Sequence, residues 1–284
     1  MKVRDAVNPS RLLVFDSDPA LHELLVPLLQ REGRSIQDAY DRHEALEALR
    51  HSACDLVLAG QGRNGDEGLK LLRRIRSIRP EARVILAGSR DPAGALAAIR
   101  ERAYAYFHKP ISTGPLADMV QLALDAAAWR DDIRVASARP EWITLEVRCK
   151  IEAAERTTQF IREMLADLES QTAEDIAIAF RELLINAIEH GGKSDAHKRV
   201  RTSLLRTSRA VMTYIADPGK GFSLESLPHA AINNPDGSPI KHLEYREEQG
   251  RRAGGFGILM SRSLVDELLY NQRGNAVLAV KYLK

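Results

Sequence analysis

Glu182 and Asn186 stand four residues apart in the stretch Phe180-Arg181-Glu182-Leu183-Leu184-Ile185-Asn186-Ala187-Ile188-Glu189-His190-Gly191-Gly192. On a helix this spacing places a carboxylate and a carboxamide one turn apart on one face. The carboxylate can accept a proton, and the carboxamide offers a neutral oxygen to a hard cation such as Mg2+. Two glycine clusters follow, Asp217-Pro218-Gly219-Lys220-Gly221 and Ala253-Gly254-Gly255-Phe256-Gly257. Asp217 can accept a hydrogen bond from an exocyclic amine such as that of adenine. Gly219 and Gly221 let a planar base approach the backbone. At a glycine-rich helix start, the N–H groups of Gly254, Gly255 and Gly257 can face phosphate oxygens, with the helix dipole adding to the attraction. Each cluster alone is also what a solvated helix face or a turn would show. In this order they describe a nucleotide site.

The elements that must position these groups can be read from periodicity. Ile176, Phe180, Leu183, Leu184, Ala187 and Ile188 recur at three- and four-residue steps, which predicts a helix over 172–190 with a wide buried stripe. Thr172 is placed to cap it, Glu174 and Asp175 suit its positive end, and Gly191-Gly192 stops it. Glu182, Asn186 and either Glu189 or His190 share its second face. Before it come a strand over 142–149 and an amphipathic helix over 152–168. After it come strands over 200–207 and 210–216, joined by a turn at Ser208-Arg209. The polar stretch 223–252 is long enough to be a lid. A helix to about Val265 and two strands around Gly274 complete this half.

The first half alternates strands and helices. Apolar runs at 11–15, 35–40, 55–59, 83–87 and 104–107 alternate with helical patterns at 19–31, 41–51, 69–78, 92–102 and 113–128. Five of each predict an α/β, doubly wound parallel sheet. Function in such sheets collects at the carboxyl ends of the strands, which here carry Asp16, Gly60, Gly88-Ser89 and Lys109.

Bulk properties bound the remaining choices. The 284 residues fit two domains, 44% are hydrophobic and 28% charged, and the net charge is +2. Nothing in the charge balance points to nucleic acid. Cys54 and Cys149 do not make a disulfide framework. No apolar run nears the ~18 residues of a membrane span, and no secretory leader is evident, so the expected setting is cytoplasmic. The expected division is 1–130, a linker over 131–140 broken at Pro140, and 141–284. Residues 127–133 could prolong the last helix of the first half and pair with a twin in a homodimer.

The first half resembles the receiver domain of response regulators. Asp16 falls on the first acidic position, Lys109-Pro110 on the Lys-Pro pair and Tyr106 on the aromatic switch. The resemblance places the phosphate-accepting Asp at position 60, which is Gly60. The second acidic position is Ser17, and the Thr/Ser position is Gly88, with Ser89 one residue away. Glycine cannot form an acyl phosphate, and loss of two carboxylates removes most of the charge for Mg2+. The expectation is a pseudo-receiver in which Lys109 is structural.

The second half is similar to the Bergerat-fold ATP-binding domain of histidine kinases, gyrase, Hsp90 and MutL, and most of all to anti-sigma-factor serine kinases. Its N-box corresponds to Glu182 through Asn186 to His190, its first glycine box to Asp217, Gly219 and Gly221, its second to Gly254, Gly255 and Gly257. The resemblance implies a mixed sheet backed by helices, an α+β sandwich with ATP between the layers. It implies that Asn186 binds Mg2+, Asp217 reads adenine, the second glycine box holds phosphates and Glu182 deprotonates the attacking hydroxyl. His190 would pack at the helix end, Lys220 would be exposed, and Arg251 and Arg252 could reach the terminal phosphate. Partners implied are a STAS-like anti-sigma-factor antagonist and a sigma factor, with no direct nucleic acid and no membrane. The expected activity is a serine/threonine kinase gated by the pseudo-receiver, and the alternative is a non-catalytic ATP-dependent binding switch. No His stands in 152–168, which argues against a sensor histidine kinase.

Overall fold

Two Asp-Pro steps set helix starts in the first half. In a computed structural model that describes residues 10–31, 33–51, 54–60, 67–126, 128–221 and 257–284, Asp18 accepts from the Ala20 N–H at 3.1 Å and Asp91 from the Ala93 N–H at 2.9 Å. Pro19 and Pro92 follow as first helical residues, where a missing N–H costs nothing. The chain divides into two units, residues 1–130 and 131–284.

The first unit contains β1 (Ser10–Phe15), α1 (Pro19–Leu29), β2 (Arg34–Ala39), α2 (Arg42–His51) and β3 (Leu56–Gly60). It continues with α3 (Glu67–Ile78), β4 (Arg83–Gly88), α4 (Pro92–Arg100), β5 (Ala105–His108) and α5 (Thr113–Asp125). The strands pair in parallel in the order β2-β1-β3-β4-β5. Leu12, Leu13, Val14 and Phe15 are all buried, as expected for a strand covered on both faces. The doubly wound five-stranded sheet is therefore as expected. The helix expected over 113–128 stops at Asp125. Trp129 then folds back onto the first unit, edge-on to Tyr104 at 5.4 Å between ring centres, with its indole N–H directed at the Glu81 carbonyl at 3.3 Å. Burying that ring holds more apolar area than a continued exposed helix would.

The second unit contains β6 (Ile133–Arg139), β7 (Trp142–Arg148), α6 (Ile151–Met164) and α7 (Ser170–Asn186). A single π-helical turn (Ala187–Gly191) extends α7, and then come β8 (Arg199–Arg206), β9 (Ala210–Ala216), α8 (Gly257–Leu264), β10 (Glu267–Tyr270) and β11 (Ala276–Tyr282). The sheet order is β10-β11-β9-β8-β7-β6. All of its pairings are antiparallel, not the mixture that the family resemblance implied. The stretch expected to be a linker is also different. Residues 133–139 form β6, the edge strand of this sheet, and Pro140 lies in the hairpin turn to β7. An edge strand buries little, so its pattern is polar enough to pass for a joint.

Helices α6 and α7 cover one face of the sheet, where Ile143, Leu145, Val147, Val211 and Ile215 are buried. The stripe Ile176, Phe180, Leu183, Leu184, Ala187 and Ile188 is buried as expected. The α7 cap is Glu169, not Thr172. Its two carboxylate oxygens accept from the Gln171 and Thr172 N–H groups at 2.9 and 2.7 Å. Glu174 binds Arg162 through two bonds of 2.9 and 3.0 Å, and Asp175 pairs with Lys281 at 3.2 Å. Because α7 starts at Ser170, both acidic residues lie beyond its first turn; they tie α7 to neighbouring elements rather than suiting its dipole as expected. No described helix is long and apolar enough to cross a membrane.

Candidate nucleotide site and receiver pocket

The wall of the candidate site is α7 with its π-turn. From Glu182 to Gly191 it rises through nine residue steps, roughly 13 Å at 1.5 Å per step. Near its start, Glu182 and Asn186 face the first residue of α8. A Cβ built on Gly257 would lie 3.1 Å from both Glu182 Oε2 and Asn186 Nδ2. At its end, Gly191 faces Asp217, which follows β9. A Cβ on Gly191 would lie 2.1 Å from the Asp217 Cγ and 2.2 Å from its Oδ1. These glycines let the helix approach both loops more closely than any side chain would allow. Gly191→Ala is expected to displace the Asp217 carboxylate at a cost of about 1–3 kcal/mol, read from urea denaturation; an unchanged midpoint would contradict this packing.

The π-turn accounts for that placement. Gly192 N–H bonds the Ala187 carbonyl at 2.8 Å, a five-residue step that widens the helix by one residue. The glycine pair therefore loosens the helix before ending it. Gly192 packs on Cys149, where a Cβ would come within 2.2 Å of Sγ. Because of the extra residue, Glu189 and His190 are turned out to solvent, so His190 is not the packing residue expected at the helix end.

Asp217 is held by its own loop. Oδ1 accepts from the Gly219 N–H at 2.7 Å, and the backbone N–H donates to the Asn275 carbonyl at 2.9 Å. Burial pushes this carboxyl above its ordinary range, while the Gly219 N–H and the Arg273 charge pull it back. Gly221 has φ +83° and sits against Arg273, whose carbonyl would be 1.8 Å from an added Cβ. Only glycine fits this position. Lys220 is exposed, as expected.

The structure thus brings together Glu182, Asn186 and Gly257 at one place and Asp217, Gly219 and Gly191 at another, with Gly221 in the same loop. Gly254, Gly255, Arg251, Arg252 and the expected lid over 223–252 lie outside the described residues. Sequence reasoning missed Arg181, whose guanidinium bonds Glu182 Oε1 at 3.1 Å and Glu155 of α6 by two further bonds. Nothing local signals a partner 26 residues away. Gly191 was also missed as a contact of Asp217, although the glycine pair itself was noticed. Among the described residues, no three His, Cys, Asp or Glu side chains cluster as a metal site. The amide oxygen of Asn186 remains the candidate protein ligand for a cation that phosphates would also bind.

In the first unit, Asp16 is 1% exposed, and its Oδ2 lies 2.6 Å from Lys109 Nζ. Oδ1 accepts from the Asp18 N–H at 2.9 Å. The carboxylate fills the space above Gly60, where a Cβ would fall 1.5 Å from Oδ2. Ser17 and Ser89 are exposed, and the Ser89 carbonyl accepts from Tyr106 O–H at 2.8 Å. Tyr106 is fully buried beneath Gly94 of α4. Buried His22, which sequence reasoning passed over, donates from Nε2 to the Asp16 carbonyl at 2.9 Å and lies 2.6 Å from Asp38. Among the described residues, the Asp16 carboxylate in this pocket is already paired with Lys109, a donor set that does not fit a divalent cation.

Known families match both halves. Residues 12–121 match the response regulator receiver domain, and residues 147–281 match the histidine kinase-like ATPase domain. The chain is 27% identical over 187 residues to transcriptional regulatory protein GlrR of Escherichia coli (strain K12), covering 66% of this chain and 41% of GlrR. It is 31% identical over 114 residues to the DNA-binding response regulator MtrA of Mycolicibacterium smegmatis, covering 40% and 50%. It thus spans half or less of these curated relatives. Among solved structures, the signal receiver domain of an HD domain-containing protein from Pseudomonas fluorescens Pf-5 shares 28% identity at a TM-score of 0.40, covering 44% of this chain and 93% of that one. The chain is thus similar to the response regulator receiver domain over residues 12–121 and to the histidine kinase-like ATPase domain over residues 147–281.

Proposed function

We propose that this protein is an ATP-dependent serine/threonine kinase of the partner-switching type, acting on an anti-sigma-factor antagonist, sequestering a sigma factor, or both. The observation that carries the reading is the meeting of Glu182 Oε2 and Asn186 at Gly257, where α8 begins. A helix start attracts phosphate oxygens, so this arrangement sets a base and a cation ligand beside the end of the nucleotide that reacts. Asp217 would accept the adenine amine, and the missing side chains of Gly191 and Gly219 let the helix end and the loop close tightly around its carboxylate. Asn186 would hold Mg2+, which when bound offsets the charge of the phosphates. Gly254 and Gly255 would complete the phosphate cradle with Gly257.

The reaction balances simply. The substrate hydroxyl oxygen bonds the γ-phosphorus, the bond from that phosphorus to the β,γ-bridging oxygen breaks, and ADP leaves. Glu182 takes the hydroxyl proton. The receiver half would act without phosphorylation, because Gly60 lacks an acceptor and Lys109 already neutralises Asp16. It would pass on a signal by docking or dimerising.

The reading is tested by calorimetry of purified protein with ATP, with and without Mg2+, followed by labelling of co-purified proteins from γ-labelled ATP. Binding and a phosphorylated Ser or Thr on a small partner are expected; absence of nucleotide heat in magnesium buffer overturns it. Asn186→Ala is expected to weaken MgATP by roughly 10²-fold while affecting metal-free ATP far less. Equal losses with and without the metal would remove Asn186 from the metal role.

A further inference from the structure

We propose that Arg181 is a positioning residue for Glu182 and that Glu155, on the neighbouring helix, holds Arg181 to that task. The inference rests on the kinase reading above and adds to it the group that aims the base.

The geometry is specific. Arg181 and Glu182 are consecutive on α7, and consecutive helical side chains diverge by about 100°. Arg181 reaches its neighbour only because its guanidinium is turned sideways and fixed. Nε donates to Glu155 Oε2 at 3.0 Å and Nη2 donates to Glu155 Oε1, a two-pronged bond across α6 and α7. Nη1 is left to donate to Glu182 Oε1 at 3.1 Å. The two oxygens of Glu182 therefore have separate roles: Oε1 is anchored, and Oε2 is turned to the start of α8. Fixing a carboxylate in a near-attack geometry is what a general base requires.

The charges explain why two carboxylates are present. A cation beside a base weakens it as a proton acceptor. Glu155 shares the cation, leaving the group of three with a net charge of −1, so Arg181 is not committed to Glu182 alone. Both carboxylates, Glu155 first, raise Arg181 above its ordinary value. A plain bridge between the two helices is the competing explanation. Arg162 and Glu174 already make one elsewhere along the same pair of helices.

The test uses the full chain with MgATP as the probe and water as the acceptor in place of the substrate hydroxyl, Glu182 taking the proton of the attacking water. It measures dissociation constants by calorimetry, single-turnover phosphate release across pH, and thermal midpoints. Arg181→Met should bind MgATP within about twofold of wild type and release phosphate about 10²-fold more slowly. Arg181→Lys should rescue only part of the rate, because an ammonium lacks the planar fork. The acidic limb of the rate profile should move to higher pH in Arg181→Met, where the base loses its cation. It should move to lower pH in Glu155→Gln, where the cation is left to Glu182 alone. A helix-bridging role would lower the thermal midpoint without moving the limbs in opposite directions. Wild-type rates in folded Arg181→Met, or limbs that shift together, overturn the proposal while leaving the kinase reading standing. If wild-type protein neither binds MgATP nor releases phosphate, both fall. Should Arg181→Met fail to fold, the nearly isosteric Glu155→Gln decides by the direction of its limb.

Discussion

Glu182→Ala keeps MgATP affinity within about twofold of wild type and lowers phosphoryl transfer by roughly 10²–10⁴-fold. The side chain projects from a helix whose apolar face is fully packed, and alanine is the best helix former, so the fold has no reason to respond. Glu182 makes its bond to Arg181 rather than to any residue of the Asp217 loop, so adenine recognition should be untouched. What is lost is the acceptor for the hydroxyl proton. Glu182→Gln separates this from shape: it keeps the Arg181 bond through its amide oxygen, yet cannot take a proton, and should be as slow as alanine. Single-turnover transfer from γ-labelled ATP to the partner is the measurement. A glutamine variant at wild-type speed would mean that the substrate hydroxyl needs no base here.

The spacing Glu182–Asn186 was legible because helix periodicity converts a four-residue interval directly into a shared face. The parallel sheet was legible for a similar reason: strands buried on both faces leave continuous apolar runs, as in Leu12–Phe15. Other features have no such local imprint. The π-turn after Asn186 is a change of hydrogen-bond partner, not of residue pattern, and it ends with Gly191 against Asp217. The Glu155–Arg181 bond joins two helices and depends on their register, which no single helix encodes. β6 reads as a joint because an edge strand buries little and ends at Pro140, which here marks a hairpin. Glu169 was missed as a cap because a Glu reaching forward to two N–H groups is unusual where Ser, Thr, Asp or Asn is the rule.

Placing an aspartate at position 60 should not make the protein accept phosphate, and it should destabilise the first domain by about 3 kcal/mol. An added Cβ alone would sit 1.5 Å from Asp16 Oδ2 and 2.4 Å from its Cγ. The carboxylate would have to leave, and with it the ion pair to Lys109 made by a side chain that is almost wholly buried. A second carboxylate adds like-charge repulsion at the same point. Gly60→Ala isolates the steric part and should carry most of the cost, since it removes room without adding charge. Its backbone is also closely approached from the other side, where a Cβ on Gly68 would fall 2.8 Å from the Gly60 carbonyl. Urea denaturation measures the cost, and acetyl phosphate followed by intact mass measures acceptance: wild type and Gly60→Ala should gain nothing. If Gly60→Asp is as stable as wild type and takes up one phosphoryl group, Asp16 swings aside readily. The pocket would then be a receiver site that lacks one side chain, and Lys109 would be a working cation rather than a permanent partner of Asp16.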